Sequence, residues 1–182
     1  MSIVTKKGDS GMTRLASGKC VPKNDARVEA NGTLDELVCF LGLARSVIKD
    51  KKIGAEIKKI QDDMFLLGAE LAGYSPPPRR GGVPPPPKTR EPTEGLPYIS
   101  EPHLAHIDSL IAKYEPKIGK VRCFVIPGDS LQSAALDCAR VLARNLERKM
   151  VALKKAGKFK NATAMKYINR LSDLLWILAR MV

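Results

Sequence analysis

Ile53-Gly54-Ala55-Glu56-Ile57-Lys58-Lys59-Ile60-Gln61-Asp62-Asp63-Met64-Phe65-Leu66-Leu67-Gly68-Ala69-Glu70-Leu71 is the stretch on which the architecture turns. Its Ile53, Ile57, Ile60, Met64, Leu67 and Leu71 recur at spacings of three and four, which puts them on one face of a helix and leaves the charged residues to the other. The same spacing returns at Leu34, Leu37, Leu41, Ala44 and Ile48, and again at Ala164, Ile168, Leu171, Leu175 and Leu178. A fourth helix is predicted from Ser130, an N-cap after Pro127-Gly128-Asp129, to the stop signal Gly157. Its expected core stripe is Leu131, Ala135, Cys138, Leu142, Leu146 and Leu153. A shorter helix fits Leu104, Ile107, Ile111 and Tyr114 and ends before Pro116. Helices with one apolar face bury it against one another, so the reading is all-α, an antiparallel helical bundle; no segment reads as a strand.

At 182 residues the chain suits one domain with a sizeable core. Residues 75–97 interrupt it: Pro76-Pro77-Pro78 and Pro84 to Pro87, with Gly, Lys and Arg between them, predict an extended, mobile, polyproline-like loop. Its Arg79, Arg80, Lys88 and Arg90 are minor candidates for touching an anion.

A net charge of +12 asks for an anionic partner, whether nucleic acid, a membrane surface or a small polyanion such as a nucleoside triphosphate. Aromatic residues are only 5% of the chain, too few for the stacking platforms of a single-strand binder. Cys20, Cys39, Cys123 and Cys138 lack CxxC spacing; Cys39 and Cys138 read as small buried hydrophobes, and a reducing, cytoplasmic setting without disulfides is expected. His103 and His106, three apart, have no third metal ligand nearby and read as surface or capping histidines. Neither an apolar leader nor a membrane-length apolar run is present in the sequence given.

Candidate chemistry sits in separated blocks. Thr5-Lys6-Lys7-Gly8-Asp9-Ser10-Gly11-Met12-Thr13 joins free amides, lysines and hydroxyls in a composition that can wrap a polyphosphate, although GDxG stretches are also plain turns. Arg140, Arg144 and Glu147 fall within about a sixth of a helix circumference, which is either a phosphate-facing cluster or a solvated face with an Arg144–Glu147 pair. That face is expected opposite the Leu131/Cys138/Leu142 stripe. Asp35, read near the start of the first helix, flanks its core stripe; favourable interaction with the helix dipole is its plain explanation. Asn169 lies beside the last stripe with an amide that can serve a ribose or phosphate, or simply bond a neighbouring helix. Phe124, before the Pro-Gly turn, reads by default as core.

Taken in order, these blocks resemble the PduO-type ATP:cob(I)alamin (corrinoid) adenosyltransferases. The resemblance runs over nearly the whole chain apart from the proline-rich loop. It is carried by the residue 5–13 block, Lys23-Asn24-Asp25-Ala26-Arg27-Val28-Glu29-Ala30, Gly32-Thr33-Leu34-Asp35-Glu36-Leu37, Phe124-Val125-Ile126-Pro127-Gly128, Arg140-Val141-Leu142-Ala143-Arg144 with Glu147-Arg148, and Tyr167-Ile168-Asn169-Arg170-Leu171-Ser172-Asp173. The chain departs from the family's usual pattern at Lys7, Asn31, Asp129 and Asn145.

The resemblance implies a five-helix up-and-down bundle of ferritin-like character, one domain over residues 1–182, assembled as a homotrimer with its active site between subunits. Residues 1–24 would fold around the nucleotide. Thr5, Lys6, Lys7, Gly8, Thr13, Arg14 and Lys23 become ATP contacts; Arg144, Glu147, Arg148 and Asn169 complete that site, with Mg²⁺ on the phosphates. Asp35 and Arg140 would pair across the interface beside the corrin, and Phe124 would stand where cobalamin's lower axial ligand sits. In the implied reaction Co(I) of the reduced corrinoid attacks the 5′ carbon of ATP, forming the Co–C bond and expelling triphosphate. Phe124, Asp35, Arg140 and Arg144 are then the residues closest to the chemistry. A reductase and an adenosylcobalamin-dependent acceptor enzyme are the implied protein partners, with no membrane and no nucleic acid. Two rivals remain: a non-catalytic relative that stores, delivers or senses adenosylcobalamin, and a basic scaffold for nucleic acid, suggested by eleven Lys/Arg against three Asp/Glu over residues 137–180.

Overall fold

A computed structural model describes residues 4, 6, 8–73, 98–120 and 123–182. The proline-rich segment 75–97, with Arg79, Arg80, Lys88 and Arg90, lies outside the described residues, as do Thr5 and Lys7.

Five α-helices make up the described body: α1 (Ala26–Val47), α2 (Lys51–Leu71), α3 (Glu101–Tyr114), α4 (Leu131–Lys155) and α5 (Ala162–Ala179). Each start has a local cause. Asp25, Asp50, Ser130 and Asn161 accept backbone N–H groups of the first turns of α1, α2, α4 and α5. At α3 the His103 ring takes the Ser100 N–H at 3.1 Å, so this histidine is a cap, one of the two plain readings open to it. α4 ends in a Schellman motif: Lys158 N–H bonds the Leu153 carbonyl, Gly157 N–H bonds that of Lys154, and Gly157 has φ +67°.

The helices alternate in direction. Residues 48–50 join α1 to α2 as a hairpin, and Asp63 and Glu56 of α2 meet His103 and His106 of α3 in reversed order, so these two are antiparallel. Glu101 and Asp108 of α3 meet Thr163 and Arg170 of α5 in the same order, so those run parallel. Glu29, near the start of α1, meets Lys149, near the end of α4. The result is up-down-up-down-up, with α1, α4 and α5 side by side and α2 and α3 closing the bundle. Every predicted stripe residue of α2 is buried, as are Leu34, Leu37, Leu41 and Ala44 of α1 and all five of α5.

Four features differ from the sequence reading. Two short strands occur, β1 (Met12–Arg14) and β2 (Cys20–Pro22), paired antiparallel around a turn in which Gly18 has φ +83°. Three-residue strands are too short to show a period of two. Second, α1 begins nine residues before Asp35, so that carboxylate is not in the first turn; Glu29 is. The Pro22–Asp25 turn and its cap start the helix early, and Gly32 is carried within it. Third, α4 is rotated. Its buried residues include Ala135, Ala139, Ala143, Leu146, Met150 and Leu153, whereas Leu131 and Cys138 are exposed and Leu142 is only partly covered. Alanines face inward because α4 packs against both α1 and α5, and small side chains let all three backbones approach. Consequently the Arg140/Arg144/Glu147 face borders the core instead of opposing it, with Arg140 and Glu147 half-buried. Finally, Cys39 and Cys138 are exposed, not core.

Polar groups pin the bundle at three levels. At one end Arg27 donates to the carbonyls of Leu71, at 2.7 Å, and of Lys158. There Asn161 also bonds Glu70 and the Ile99 carbonyl, at 3.1 and 2.8 Å. In the middle the buried Tyr167 hydroxyl donates to Asp63 at 2.8 Å, with His103 Nε2 at 3.9 Å from the same carboxylate. Burial holds the Asp63 carboxyl above its ordinary range, opposed by the Tyr167 hydrogen bond. At the far end Asp137 is buried between Arg140 Nε, at 2.8 Å, and Arg180.

Candidate active site

The leader hairpin is extended by one more rung, the Lys23 N–H bonding the Gly11 carbonyl at 2.8 Å, before the Pro22–Asp25 turn enters α1. The Lys23 side chain then runs back across Gly8: a Cβ on Gly8 would lie 3.1 Å from Nζ, so any side chain there would crowd the ammonium. Beside this contact a groove of about 420 Å³ opens between the hairpin and the bundle. Thr13 and Lys23 line it from the hairpin, Glu29, Thr33 and Glu36 from α1, and Lys149 from α4. Glu29, Thr33 and Glu36 are spaced i, i+4, i+7, so early initiation of α1 is what aligns them on one face.

Two residues before Lys149, on the side of α4 that faces α5 and away from this groove, Glu147 accepts a hydrogen bond from Asn169 Nδ2 of α5 at 3.1 Å. This pair joins two residues that the sequence singled out separately, 22 positions apart. Arg144 is exposed on the neighbouring turn, and Arg148 leans on the Asn145 amide at 3.4 Å. Arg14 is occupied at the hairpin turn, donating to the Gly18 carbonyl at 3.2 Å, and Lys6 is exposed with φ +57°.

Among the described residues, no hydrogen bond or ion pair joins those expected near a corrin to one another. Asp35 is exposed on α1, while Arg140 is tied to Asp137 of its own helix. Phe124 is not core; its side chain is fully exposed, in a segment before α4 where Ile126 is also exposed. An aromatic ring left in solvent beside a helix start has no role in holding this chain together.

Glu29, Glu36, Thr33 and Lys149 were missed as groove residues. Glu29, Thr33 and Glu36 stand inside quoted motifs, but Lys149 is 120 positions from Glu29, and no local pattern links them. Asn31 also gains an explanation. In the orientation that satisfies its amide, it donates to the Gly68 carbonyl at 3.1 Å and accepts the Ala72 N–H at 3.2 Å, clamping α1 to the end of α2.

Comparison with known proteins agrees with the fold. The family model for cobalamin adenosyltransferase matches residues 3–182. A corrinoid adenosyltransferase of Citrobacter freundii is 36% identical, over 98% of this chain and 93% of its own length. The corrinoid adenosyltransferase PduO of the same organism is 37% identical, but the chain spans only 49% of that relative. Among solved structures, a variant PduO-type ATP:corrinoid adenosyltransferase from Lactobacillus reuteri, complexed with cobalamin and ATP, superposes with a TM-score of 0.79. It is 30% identical, and the match covers 98% of this chain and 92% of that one. Five helices alternating in direction, a leader hairpin that shares a groove with α1 and a family match from residue 3 to the last residue lead to one assignment: the chain belongs to the cobalamin adenosyltransferase family.

Proposed function

We propose that this protein is an ATP:corrinoid adenosyltransferase, moving the 5′-deoxyadenosyl group of ATP to the cobalt of a reduced corrinoid and releasing triphosphate. One observation carries the reading beyond family membership: Thr13 and Lys23 of the leader line a groove with Glu29, Thr33 and Glu36 of α1 and Lys149 of α4, so leader and bundle share one polar recess. The substrate cobalt is itself the nucleophile, so the protein's task is to orient two reactants and balance the charge of the departing triphosphate.

In this reading Lys6, Lys7, Lys23, Arg144 and Arg148 meet the phosphates, and Thr5, Gly8, Thr13, Arg14, Glu147 and Asn169 fix the rest of the nucleotide. Among the described residues no three His, Cys, Asp or Glu side chains converge on a metal position. Mg²⁺ is proposed to arrive on the phosphates and to be held mostly by them and by water, as this ion prefers, with groove oxygens of Thr13, Thr33 and Glu36 within its chemistry. Its contribution is to neutralise charge on the leaving group.

Asp35, Arg140 and Phe124 form the proposed corrinoid side. The full exposure of Phe124, the exposure of Asp35 and the pairing of Arg140 with Asp137 of its own helix support a site completed by a neighbouring subunit, in a homotrimer. An apolar ring below the corrin would keep the cobalt without its lower ligand, which eases reduction to Co(I). In this reading the chain is one domain, with residues 1–24 as its nucleotide leader. A reductase and an acceptor enzyme remain the partners of this reading. Four cysteines without ligand spacing support a cytoplasmic setting, and among the described residues no helix is long and apolar enough to cross a membrane.

The test mixes protein, ATP, Mg²⁺ and chemically reduced cobalamin and follows the absorbance change of Co–C bond formation. Turnover is expected. Tight binding of both substrates without product would make the protein a non-catalytic carrier or sensor instead.

A further inference from the structure

Lys149 Nζ donates to Glu29 Oε2 at 3.1 Å and to the Glu29 backbone carbonyl at 3.2 Å, bridging α4 to α1 on the wall of the leader groove. Neither side chain is deeply buried: Lys149 is 31% and Glu29 55% exposed, so both can swing without opening the core. Of the groove's charged residues two are cations, Lys23 and Lys149, and two are anions, Glu29 and Glu36. Their charges cancel. A cavity that is neutral overall attracts a polyanion poorly unless one of its cations changes partner.

We infer that Lys149 is a further phosphate-binding residue for the nucleotide, held by Glu29 until triphosphate takes Glu29's place. The inference rests on the nucleotide site proposed above and adds to it a contact from α4. An ammonium suits this exchange, being a point charge on a flexible four-carbon stem that reaches several positions from one backbone site. Glu29 competes with the phosphates for the same Nζ, so the two residues of one ion pair have opposite effects on affinity. A pair that only fastened α1 to α4 would not behave this way, because breaking it from either side would have the same consequence.

The experiment measures binding of ATP, inorganic triphosphate and adenosine to the full-length protein by calorimetry, for wild type, Lys149→Met, Lys149→Arg and Glu29→Gln, with melting temperatures alongside. Lys149→Met is expected to weaken ATP and triphosphate about tenfold and leave adenosine unchanged. Lys149→Arg should restore most of that loss. Glu29→Gln should tighten triphosphate several-fold while lowering the melting temperature as much as Lys149→Met does. Equal weakening by Lys149→Met and Glu29→Gln, or no change in either, overturns the inference while leaving the nucleotide site standing. Wild-type protein that binds neither ATP nor triphosphate overturns both.

Discussion

The inner and outer apolar surfaces of this protein are built from similar residues and treated in opposite ways. Between α1, α4 and α5, Leu37, Leu41, Ala139, Ala143 and Leu171 are completely covered. Along residues 124–141, Phe124, Ile126, Leu131 and Val141 are 104, 83, 63 and 53% exposed. Isolated exposed apolar residues are ordinary on any protein, but these lie in one run of chain that starts at a helix entry and continues along α4. The inner set is spent on stability and the outer set is free for contacts beyond the chain. A residue's apolar character says nothing about which of these it serves.

Substitutions separate the two roles. The largest effect on stability is expected at the inner surface: Leu37→Ala should cost about 2–5 kcal/mol in denaturant unfolding. A cost under about 1 kcal/mol would mean that the bundle relaxes around the cavity and that the contrast is weaker than drawn. Arg144→Ala, on the exposed flank of α4, should lower turnover about 10²–10³-fold, the scale for losing one preorganised charge-stabilising donor, while leaving the unfolding midpoint in place. Unchanged turnover would remove Arg144 from the site.

Tyr167→Phe tests the polar part of the interior. It strips the donor from buried Asp63 and should cost about 1–3 kcal/mol. The pH dependence has a definite sign here. Burial raises the folded-state pKa of Asp63 above its ordinary 3.8, so the folded protein binds that proton more tightly than the unfolded chain does. The stability this contributes is present below pH 3.8 and is lost as pH rises through the raised folded value. Asp63→Asn removes the term, so its stability relative to wild type should improve from pH 4 toward neutrality. Tyr167, His103, His106 and Lys59 all act on this carboxylate, so both proteins must be followed by denaturation across the whole range. A constant difference would show that Asp63 does not titrate there. The smallest stability effect belongs to Phe124→Ala, within about 0.5 kcal/mol of wild type. Its activity should nevertheless fall more when the assay starts from cob(II)alamin than from cob(I)alamin; equal losses would deny Phe124 a role in reduction.

How much could be read in advance follows from range. The α2 stripe was legible because one apolar set, Ile53 to Leu71, had no rival on that helix. α4 offered two, one through Leu131, Cys138 and Leu142 and one through Ala139, Ala143 and Met150, and leucine outweighs alanine on any local scale. Packing reversed that preference. The candidate site divides the same way: Thr13, Lys23, Glu147 and Asn169 stood in quotable blocks, but the Lys149–Glu29 bridge joins residues that only the α1–α4 contact brings together.

By itself the sequence determined the helices, their caps, their ends and their tendency to bundle, because periodicity, Asp and Ser caps and the Gly157 stop act within a few residues. Tertiary structure alone decided which side of α4 faces inward and which charges share the groove. Both depend on the shape and distance of a neighbouring helix, and no free energy local to either segment contains that information.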